Sequence, residues 1–569
     1  MSKVHFIENK DYVYVELPDG RKISGPRGST VEEFLSLIVD ELPADLMAAM
    51  VNGELHELGY KLLHDAVVRP ITMLGKDGMV IYKRSLGFLT AACFEKLFPN
   101  MQLEVKHSIN GGGTLCMVSG GEFTDDDRKA LEAEMRSLVN QNLTITREEI
   151  PLEEAREIYR RKGQQDKLDL LKYRKKDYLV TYTMGDFQNY FYGYMVPSTG
   201  YLKYFKLEKA GEKNQFLLRF PKNGTSTEIQ PLAKYKRLQP IFAEYNNWQK
   251  RLDIDTISSI NHAIDQKRIE EVILVSESLQ NREFMRAAEA IATNPKIRMV
   301  LIAGPSSSGK TTSSKRLSIE LLAHGISPIP VAMDDFYVPR VESPRDENGE
   351  YDFENVKALR IEHFKDCMRR LINGETVQMP RYNFKTGVPE DGNILKLEEN
   401  QILIVEGIHG LNPIMTADLP EDSIFRIFIS PMTQVNMDHY NRVSIIDVRL
   451  IRRIVRDYRD RGCSAKDTIA RWESVRNGES KYINPYQDTA DMFINTSLVY
   501  ELSALKSLAE PALRMVPWGS DEYSDAKRLL TLLEWVEPLD LSLVPANSIL
   551  AEFVGGSNLA NFVSWGANH

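Results

Sequence analysis

The chain has 569 residues, of which 43% are hydrophobic and 27% charged, an ordinary composition for soluble globular protein that predicts three or four domains. Its net charge of −9 argues against a general nucleic-acid coat, although local basic patches stay open. The four dispersed cysteines, the polar N-terminus and the lack of a long apolar run argue against a disulfide framework and a membrane span, and predict a cytoplasmic protein.

The first 70 residues predict a small α+β unit. Tyr12–Leu17 alternates as a strand does, a turn follows at Pro18–Gly20, and Thr30–Leu42 has a helical pattern. A second turn signal lies at Val51–Gly53. On "LPDG", "GSTVEEF" and "AAMVNGEL" this unit resembles the TGS domain, a β-grasp module at the N-terminus of threonyl-tRNA synthetase. The resemblance implies a β-grasp fold for residues 1–70.

Residues 71–225 resemble the second domain of the same synthetase. The similarity lies in "RSLGFLTAACFEKLFP", "GGEFTDDDRKALEAEMRSLV" and "MVPSTGYLKYFKL". The synthetase pattern has His, His, Cys and His where this chain has Arg84, Phe88, Phe191 and Met195. These side chains cannot rebuild the polar pocket or the metal-ligand set. We therefore expect a scaffold or binding module with a degenerate site; a retained hydrolase is the alternative.

Two further segments flank the predicted catalytic domain. Residues 226–295 are charged and helix-rich and are interpreted as a connector, with "LQNREFMRAAEAIATNP" as its final helix. The pair Asn294–Pro295 marks the boundary to a domain over residues 296–500. Residues 501–569 have helical patterns at Tyr500–Ala509 and Ser524–Trp535 and predict a helical segment packed on that domain.

A phosphate loop is the strongest motif in the chain. The apolar run Met299–Ala303 leads into "GPSSSGKTT", and an amphipathic helix follows to about His324. Backbone N–H groups of the loop would surround a polyphosphate, with Lys310 on the β- and γ-oxygens and Thr311 on Mg²⁺. The nucleotide-binding candidates are Gly304, Ser306, Ser307, Ser308, Gly309, Lys310, Thr311 and Thr312. A Gly/Ser-rich turn is the alternative.

Beyond Ile297, apolar strand patterns alternate with helical ones, which predicts a parallel sheet covered on both faces. Ligands bind beyond the carboxyl ends of such strands. Asp334 follows one predicted strand and Glu406 follows another, so both carboxylates are expected beside the phosphate loop. Caps of helices or turns are the alternative role.

The segment Asp447–Gly462 predicts an arginine-rich helix. Ile451, Ile454, Val455 and Tyr458 are spaced as a buried stripe. Another face carries Arg449, Arg452, Arg456 and Arg459, with Arg453 and Arg461 nearby. Guanidinium groups suit the charge that develops in phosphoryl transfer. A solvated basic face and an RNA-binding helix are the alternatives.

Taken in order, residues 296–500 resemble the uridine kinase family of P-loop nucleoside kinases. The motifs are "GPSSSGKTT", "DDFY", "YDFENVKAL", "TVQMPRYNF", "VEGIHGL" and "RLIRRIVRDYRDRG". The resemblance implies that Asp334 is the general base for a nucleoside 5′-hydroxyl, and that Thr311, Glu406 and Asp334 are the candidate Mg²⁺ ligands. It also implies a substrate set and a phosphate lid: Glu354 on the ribose, Tyr382 at the base, Asp335 beside them, and Arg453, Arg456 and Arg461 over the phosphates.

Two departures from the family affect the acceptor. Its pyrimidine-contacting histidine is Gly387 here, and its base-contacting glutamine falls on Arg471. A site without those polar groups should discriminate bases weakly or differently. The acceptor is therefore left open.

The sequence thus predicts a multidomain α+β and α/β protein: a β-grasp unit, a synthetase-editing-like α+β domain and a C-terminal P-loop domain with a parallel sheet. The leading hypothesis is an ATP- and Mg²⁺-dependent nucleoside kinase. Alternatives are a P-loop kinase for another small hydroxyl acceptor, and an NTP-dependent RNA- or tRNA-binding switch. RNA contact through the N-terminal half and formation of a homo-oligomer are both left open.

Overall fold

A computed structural model describes residues 11–109, 112–222, 227–231, 248–346, 349–432 and 435–562. Part of the predicted connector, residues 226 and 232–247, lies outside these ranges. Across the described ranges, every helix is too short or too polar to span a bilayer.

The N-terminal sheet has five strands in the order β2-β1-β5-β3-β4, with β1 and β5 parallel. The strands are β1 (Tyr12–Glu16), β2 (Lys22–Pro26), β3 (Leu46–Val51), β4 (Glu54–His56) and β5 (Ala66–Thr72). Helix α1 (Val31–Leu35) begins at Thr30, which forms a capping box with Glu33, and a 3₁₀ turn (Ser36–Glu41) continues it. Its buried side chains share one core with alternate residues of β1. The α+β unit predicted for this region is present.

The next region packs a long helix against a four-stranded sheet of order β11-β12-β7-β6, beside a three-stranded sheet of order β10-β9-β8. The helices are α2 (Lys76–Leu97), α3 (Asp125–Gln141), α4 (Leu152–Lys162) and α5 (Gln165–Leu171). The strands are β6 (Gln102–Ile109), β7 (Gly113–Ser119), β8 (Thr146–Pro151), β9 (Tyr178–Met184), β10 (Phe187–Asn189), β11 (Lys206–Lys209) and β12 (Gln215–Arg219). Apolar side chains of α2 form the centre of its core.

Helices α6 (Ile257–Asp265) and α7 (Ile269–Ala292) lead into a sheet of five parallel strands. These strands are β13 (Met299–Ala303), β14 (Ser327–Ala332), β17 (Gln401–Glu406), β18 (Ile424–Ser430) and β19 (Met492–Asn495). Their spatial order is β14-β17-β13-β18-β19, so the strand that precedes the phosphate loop lies at the centre. The predicted parallel sheet is confirmed.

Helices cover both faces of this sheet and a two-stranded ribbon extends from it. The helices are α8 (Lys310–Ala323), α9 (Ile361–Ile372), α10 (Pro413–Thr416), α11 (Ile445–Arg461) and α12 (Ala465–Tyr482). The ribbon pairs β15 (Val377–Asn383) with β16 (Val388–Leu395). The chain continues through α13 (Glu501–Arg514), α14 (Tyr523–Leu533) and α15 (Ala551–Val554).

The synthetase-like region and the C-terminal part share a continuous core. Ile150, Tyr159 and Tyr190 belong to the same buried cluster as residues of the parallel sheet and of α13 and α14. A fully buried ion pair of 2.8 Å joins Lys167 to Asp438, in the segment between β18 and α11. The two parts are therefore packed against each other through buried contacts, and the domain bounds remain predictions.

Candidate active site

The phosphate loop lies at the end of the central strand and turns sharply into α8. Ser307 and Gly309 have φ angles of 59° and 84°, the left-handed conformation that turns the chain. A Cβ on Gly304 would lie 2.0 Å from the carbonyl oxygen of Ile429, so only glycine fits there. The loop thus places its backbone N–H groups at the N-terminus of a 14-residue helix, a favourable position for phosphate.

Lys310 is held within this loop. Its ammonium donates hydrogen bonds to the carbonyl oxygens of Gly304 (2.9 Å) and Pro305 (3.1 Å). Burial lowers the pKa of Lys310, and the nearby carboxylates of Glu406 and Asp334 oppose that effect. The cation is therefore next to both strand-end carboxylates that the sequence placed beside the loop.

The hydroxyl of Thr311 lies 3.1 Å from both carboxylate oxygens of Glu406. The parallel register explains this meeting, because Glu406 ends β17 abreast of Ile302 in β13. Burial raises the pKa of Glu406 to about 7, and Lys310 partly counteracts it. The hydroxyl of Thr311 and the carboxylate of Glu406 form an oxygen donor set of the kind that Mg²⁺ shares with substrate phosphates. These residues fit that ion.

The two aspartates of the "DDFY" motif have different roles in the structure. They lie on a 3₁₀ turn, Met333–Phe336, directly after β14. Asp335 accepts a hydrogen bond of 3.1 Å from the backbone N–H of Tyr382 and so anchors the β15–β16 ribbon. Asp334 is accessible to the cleft, and its enclosed surroundings raise the pKa of its carboxyl while Lys310 lowers it. Among the residues that the structure describes, Asp334 has no hydrogen-bond partner, and it lies near Lys310.

Glu354 lies near Lys310 of the loop and near Glu479, whereas Tyr382 lies on the β15–β16 ribbon. Burial, followed by the neighbouring Glu479, raises the pKa of Glu354 to about 7. Tyr382 is buried, and its ring lies 5.5 Å from that of Tyr337 and 5.1 Å from that of Phe384. The cleft therefore combines an acidic wall with an aromatic one.

Helix α11 brings arginines to the phosphate loop. Arg453 donates a 2.8 Å hydrogen bond to the hydroxyl of Ser306, and Arg449 donates to the carbonyl oxygen of Ser306 at 2.9–3.0 Å. Arg456 is paired with Asp457, while Arg461 is more exposed and lies 3.4 Å from the same carboxylate. Among the contacts of the described residues, Arg453 is the member of the predicted lid that bonds the loop directly.

Two expectations for α11 were wrong. Tyr458 was placed in the buried stripe, but its side chain is 49% exposed, because the stripe ends at Val455. Arg452 was placed on the basic face, but it is fully buried and bonds the Glu501 carboxylate and the carbonyl oxygen of Thr496. It joins α11 to α13 and does not face the cleft.

Glu479 is a contributor that sequence reasoning missed. Its carboxylate accepts the backbone N–H of Ser306 at 3.0 Å and pairs with Arg449, so α12 supports the rim of the phosphate loop. In the sequence, Glu479 lies in a helical pattern, and no local feature distinguishes it from an acidic residue on an exposed helix face.

The C-terminal segment also reaches the loop. Ile549 lies against Gly309, and the hydroxyl of Thr312 donates a 2.6 Å hydrogen bond to the carboxylate of Glu552 on α15. Arg459 donates to backbone carbonyls of the same segment. A residue 240 positions further along the chain therefore borders the predicted nucleotide site.

The acceptor side differs from the family pattern where the sequence predicted. Gly387 has a φ of 75°, and the Arg340 side chain occupies the space beside its Cα. The Arg340 guanidinium donates to the carbonyl oxygen of Phe384 at 2.6 Å. Arg471 is exposed, whereas the neighbouring Trp472 is buried under Arg449. The Arg340 side chain therefore fills the space that a side chain at position 387 would enter.

The four degenerate synthetase positions come together in the second region. The rings of Phe88 and Phe191 meet edge to face at 5.3 Å, and Met195 is buried in the same core. Arg84 donates a 2.7 Å hydrogen bond to the carbonyl oxygen of Tyr194. Within the described ranges, no group of three or more His, Cys, Asp or Glu side chains is arranged to hold a metal ion.

Comparisons with known proteins give matches to separate parts of the chain. The family model for "Phosphoribulokinase / Uridine kinase family" matches residues 299–502, and the model for the TGS domain matches residues 13–72. Threonine–tRNA ligase 2 of Bacillus subtilis (strain 168) is 31% identical over 216 residues, 37% of this chain and 34% of the ligase. Threonine–tRNA ligase of Geobacillus kaustophilus (strain HTA426) is 32% identical over 235 residues, 40% of this chain and 36% of the ligase. The chain thus spans about a third of the length of these ligases.

Two solved structures also show similarity to this chain. A putative fructose transport system kinase from Silicibacter sp. TM1040 is 19% identical with a TM-score of 0.27, covering 37% of this chain and 98% of its own. A possible uridine kinase from Bacillus stearothermophilus is 18% identical with a TM-score of 0.24, covering 35% and 89%. The family models and the ligase matches show that the chain carries an N-terminal TGS domain, a middle region similar to threonine–tRNA ligases and a P-loop kinase domain of the phosphoribulokinase/uridine kinase family.

Proposed function

We propose that the C-terminal domain transfers the γ-phosphoryl group of ATP to the 5′-hydroxyl of a nucleoside. The observation that carries the proposal is the position of the Asp334 carboxylate, which has no hydrogen-bond partner among the described residues, near Lys310 and the Thr311–Glu406 pair. A phosphate switch needs the last three groups, but only a transferase needs a base beside them.

On the donor side, the backbone of the loop would bind the β- and γ-phosphates. Lys310 would leave the carbonyl oxygens of Gly304 and Pro305 and turn to the phosphate oxygens, which are stronger acceptors. Thr311 and Glu406 would hold Mg²⁺, with Asp334 as a further candidate ligand; the ion would supply charge neutralisation on the phosphate oxygens when bound.

On the acceptor side, Asp334 would accept the proton of the attacking hydroxyl, whose oxygen forms the new P–O bond as the bond to ADP breaks. Arg453 lies on Ser306, and Arg456 and Arg461 lie on the same helix, so they would cover the migrating group. Glu354 would bond the sugar hydroxyls, and the Tyr382 wall would contact the base, with Asp335 holding Tyr382 in place.

The acceptor is proposed to be a nucleoside because the acidic Glu354 lies with a group of aromatic rings, in which Tyr382 contacts Tyr337 at a tilt and Phe384 edge to face. The proposal does not include strict selectivity for pyrimidine bases. Gly387 and Arg471 replace the histidine and the glutamine that contact the base in the family pattern. The alternative is a kinase that phosphorylates a different small molecule with a hydroxyl group, for which Asp334 would serve as the base in the same way.

The test is turnover of ATP by the purified full-length chain with a panel of nucleosides, sugars and hydroxy acids, followed by mass analysis of the product. A phosphorylated nucleoside supports the proposal. If a sugar or hydroxy acid is phosphorylated and no nucleoside is, the protein is a kinase but its acceptor is not a nucleoside. Turnover that needs no acceptor and is stimulated by tRNA favours an NTP-driven switch instead.

For the N-terminal half we propose RNA contact. The proposal is supported by the TGS domain match and by the similarity to threonine–tRNA ligases, which act on tRNA by name. Binding of labelled tRNA to the full-length chain tests it, with its salt dependence as a measure of phosphate contacts.

A further inference from the structure

A cavity of about 330 Å³ lies where the synthetase-like region meets the C-terminal helices. One wall consists of α2, β9 and the segment 190–194, and the opposite wall is α14 with Trp535. The phosphate-loop residues do not line it. Its volume is within the range of small-molecule sites in proteins.

The lining is rich in cations. Six of them border the cavity, against three carboxylates, Glu54, Asp77 and Glu534. The cations are Arg84, Arg147, Arg174, Lys176, Lys527 and Arg528. Glu534 pairs with both Arg174 and Lys176, and Glu54 pairs with Lys527. Burial and the neighbouring Asp525 raise the pKa of Asp77, which moves that carboxyl toward its neutral form.

Arg84 is the cation whose charge is not balanced. Its guanidinium bonds the carbonyl oxygen of Tyr194 at 2.7 Å and lies 5.8 Å from the Tyr192 ring centre. Within the described ranges it forms no ion pair with a carboxylate, and burial lowers its pKa. A half-buried guanidinium in this state is stabilised by any anion that enters the cavity.

The rest of the wall is aromatic. Rings that face the cavity belong to Tyr182, Tyr190, Phe191, Tyr192, Tyr194 and Trp535. Two hydroxyls on this wall donate to backbone carbonyl oxygens, Tyr182 to that of Gly193 (3.0 Å) and Tyr192 to that of Arg528. The rings therefore offer mainly their faces and edges, which suit a flat ligand.

We propose that this cavity binds a small anion that carries a flat ring, with its anionic group on Arg84 and its ring against the aromatic wall. Phosphate monoesters of ring compounds, including nucleoside monophosphates, have this chemistry. The site is separate from the phosphate loop and stands whether or not the kinase proposal is correct.

Adenosine 5′-monophosphate, uridine 5′-monophosphate and phenyl phosphate are the probes, each titrated calorimetrically into the full-length protein. The parent nucleosides test the need for the anion, and ribose 5-phosphate tests the need for the ring. Arg84→Gln removes the cation, Arg84→Lys keeps it, and Arg160→Gln on the exposed face of α4 is the matched control. Hydrogen exchange of residues 190–194 and 523–535 locates the ligand.

We expect at least one probe to bind one molecule per chain and to protect those two segments. Binding should weaken at least about tenfold in Arg84→Gln, as expected for loss of a charge-assisted hydrogen bond, and be retained in Arg84→Lys and Arg160→Gln. Failure of every probe to bind overturns the proposal. So does equal binding by folded Arg84→Gln, equal binding of the parent nucleosides, or protection confined to residues 304–312.

Discussion

The hydroxyl of Thr312, the last residue of the phosphate-loop motif, donates a 2.6 Å hydrogen bond to the carboxylate of Glu552. The carboxylate also lies 4.0 Å from the guanidinium of Arg456. A negative charge thus occupies the N-terminal end of α8, the position at which a bound triphosphate would bring its own charge.

Replacing Glu552 with Gln should tighten nucleotide binding. The amide keeps the hydrogen bond to Thr312 but removes repulsion between the carboxylate and the phosphates, so KM for ATP should fall about three- to tenfold. Steady-state kinetics measure this, with Glu270→Gln on the exposed face of α7 as the control. A rise in KM in the Glu552 variant would show that the carboxylate supports binding.

Asp334→Asn should lower kcat by at least about a hundredfold while ATP binding stays measurable, because the amide cannot accept the hydroxyl proton. Asp335→Asn should be milder in kcat and act on the acceptor KM, since Asp335 holds the backbone of Tyr382. Initial rates over a range of ATP and acceptor concentrations separate the two effects. The reverse order would place the base at Asp335.

Glu354 should make the ligand-free protein less stable as pH rises. Its pKa is raised from 4.5 to about 7, so the folded state holds a proton that the unfolded state has released. The resulting stability is present at low pH and is lost as pH rises from about 4.5 to about 7. Besides burial, the charges of Glu479 and Asp334 raise the pKa of Glu354, and those of Lys310 and Arg453 lower it.

Glu354→Gln should therefore reduce this fall in the free energy of unfolding by on the order of 1 kcal/mol. Denaturant unfolding at pH 5 and pH 8, without nucleotide or Mg²⁺, measures it. Equal losses in wild type and variant would contradict the assignment.

The synthetase-like region should neither bind stoichiometric zinc nor deacylate mischarged tRNA. Phe88 and Phe191 pack on each other, Met195 is buried, and Arg84 repels cations, so the usual nitrogen and thiolate ligands are missing. Metal analysis of protein purified without chelator and a deacylation assay check this, with a synthetase editing domain as positive control. About one equivalent of zinc, or hydrolysis above the buffer rate, would reveal an unrecognised site.

Sequence predicted those parts of the site that depend on local pattern. The phosphate loop was predictable because its glycines, lysine and threonines are typical of a turn that binds phosphate. The positions of Asp334 and Glu406 were predictable because the carboxyl ends of parallel strands meet at one edge of the sheet. Glu479 and Glu552 reach the loop from distant helices through tertiary packing, which no local period encodes. Arg452 shows the same limit, since its buried partner Glu501 lies 49 positions away.

The most direct test is transfer of labelled γ-phosphate from ATP to a nucleoside by wild-type protein and by Lys310→Ala, with Lys357→Ala on the exposed surface as the control. Lys310 contacts loop carbonyls and not the apolar core, so the variant should stay folded by circular dichroism. The account predicts a labelled nucleoside 5′-monophosphate with wild type and Lys357→Ala, and at least about a hundredfold less with Lys310→Ala. Wild-type transfer by folded Lys310→Ala, or no labelled nucleoside with any protein, would contradict it.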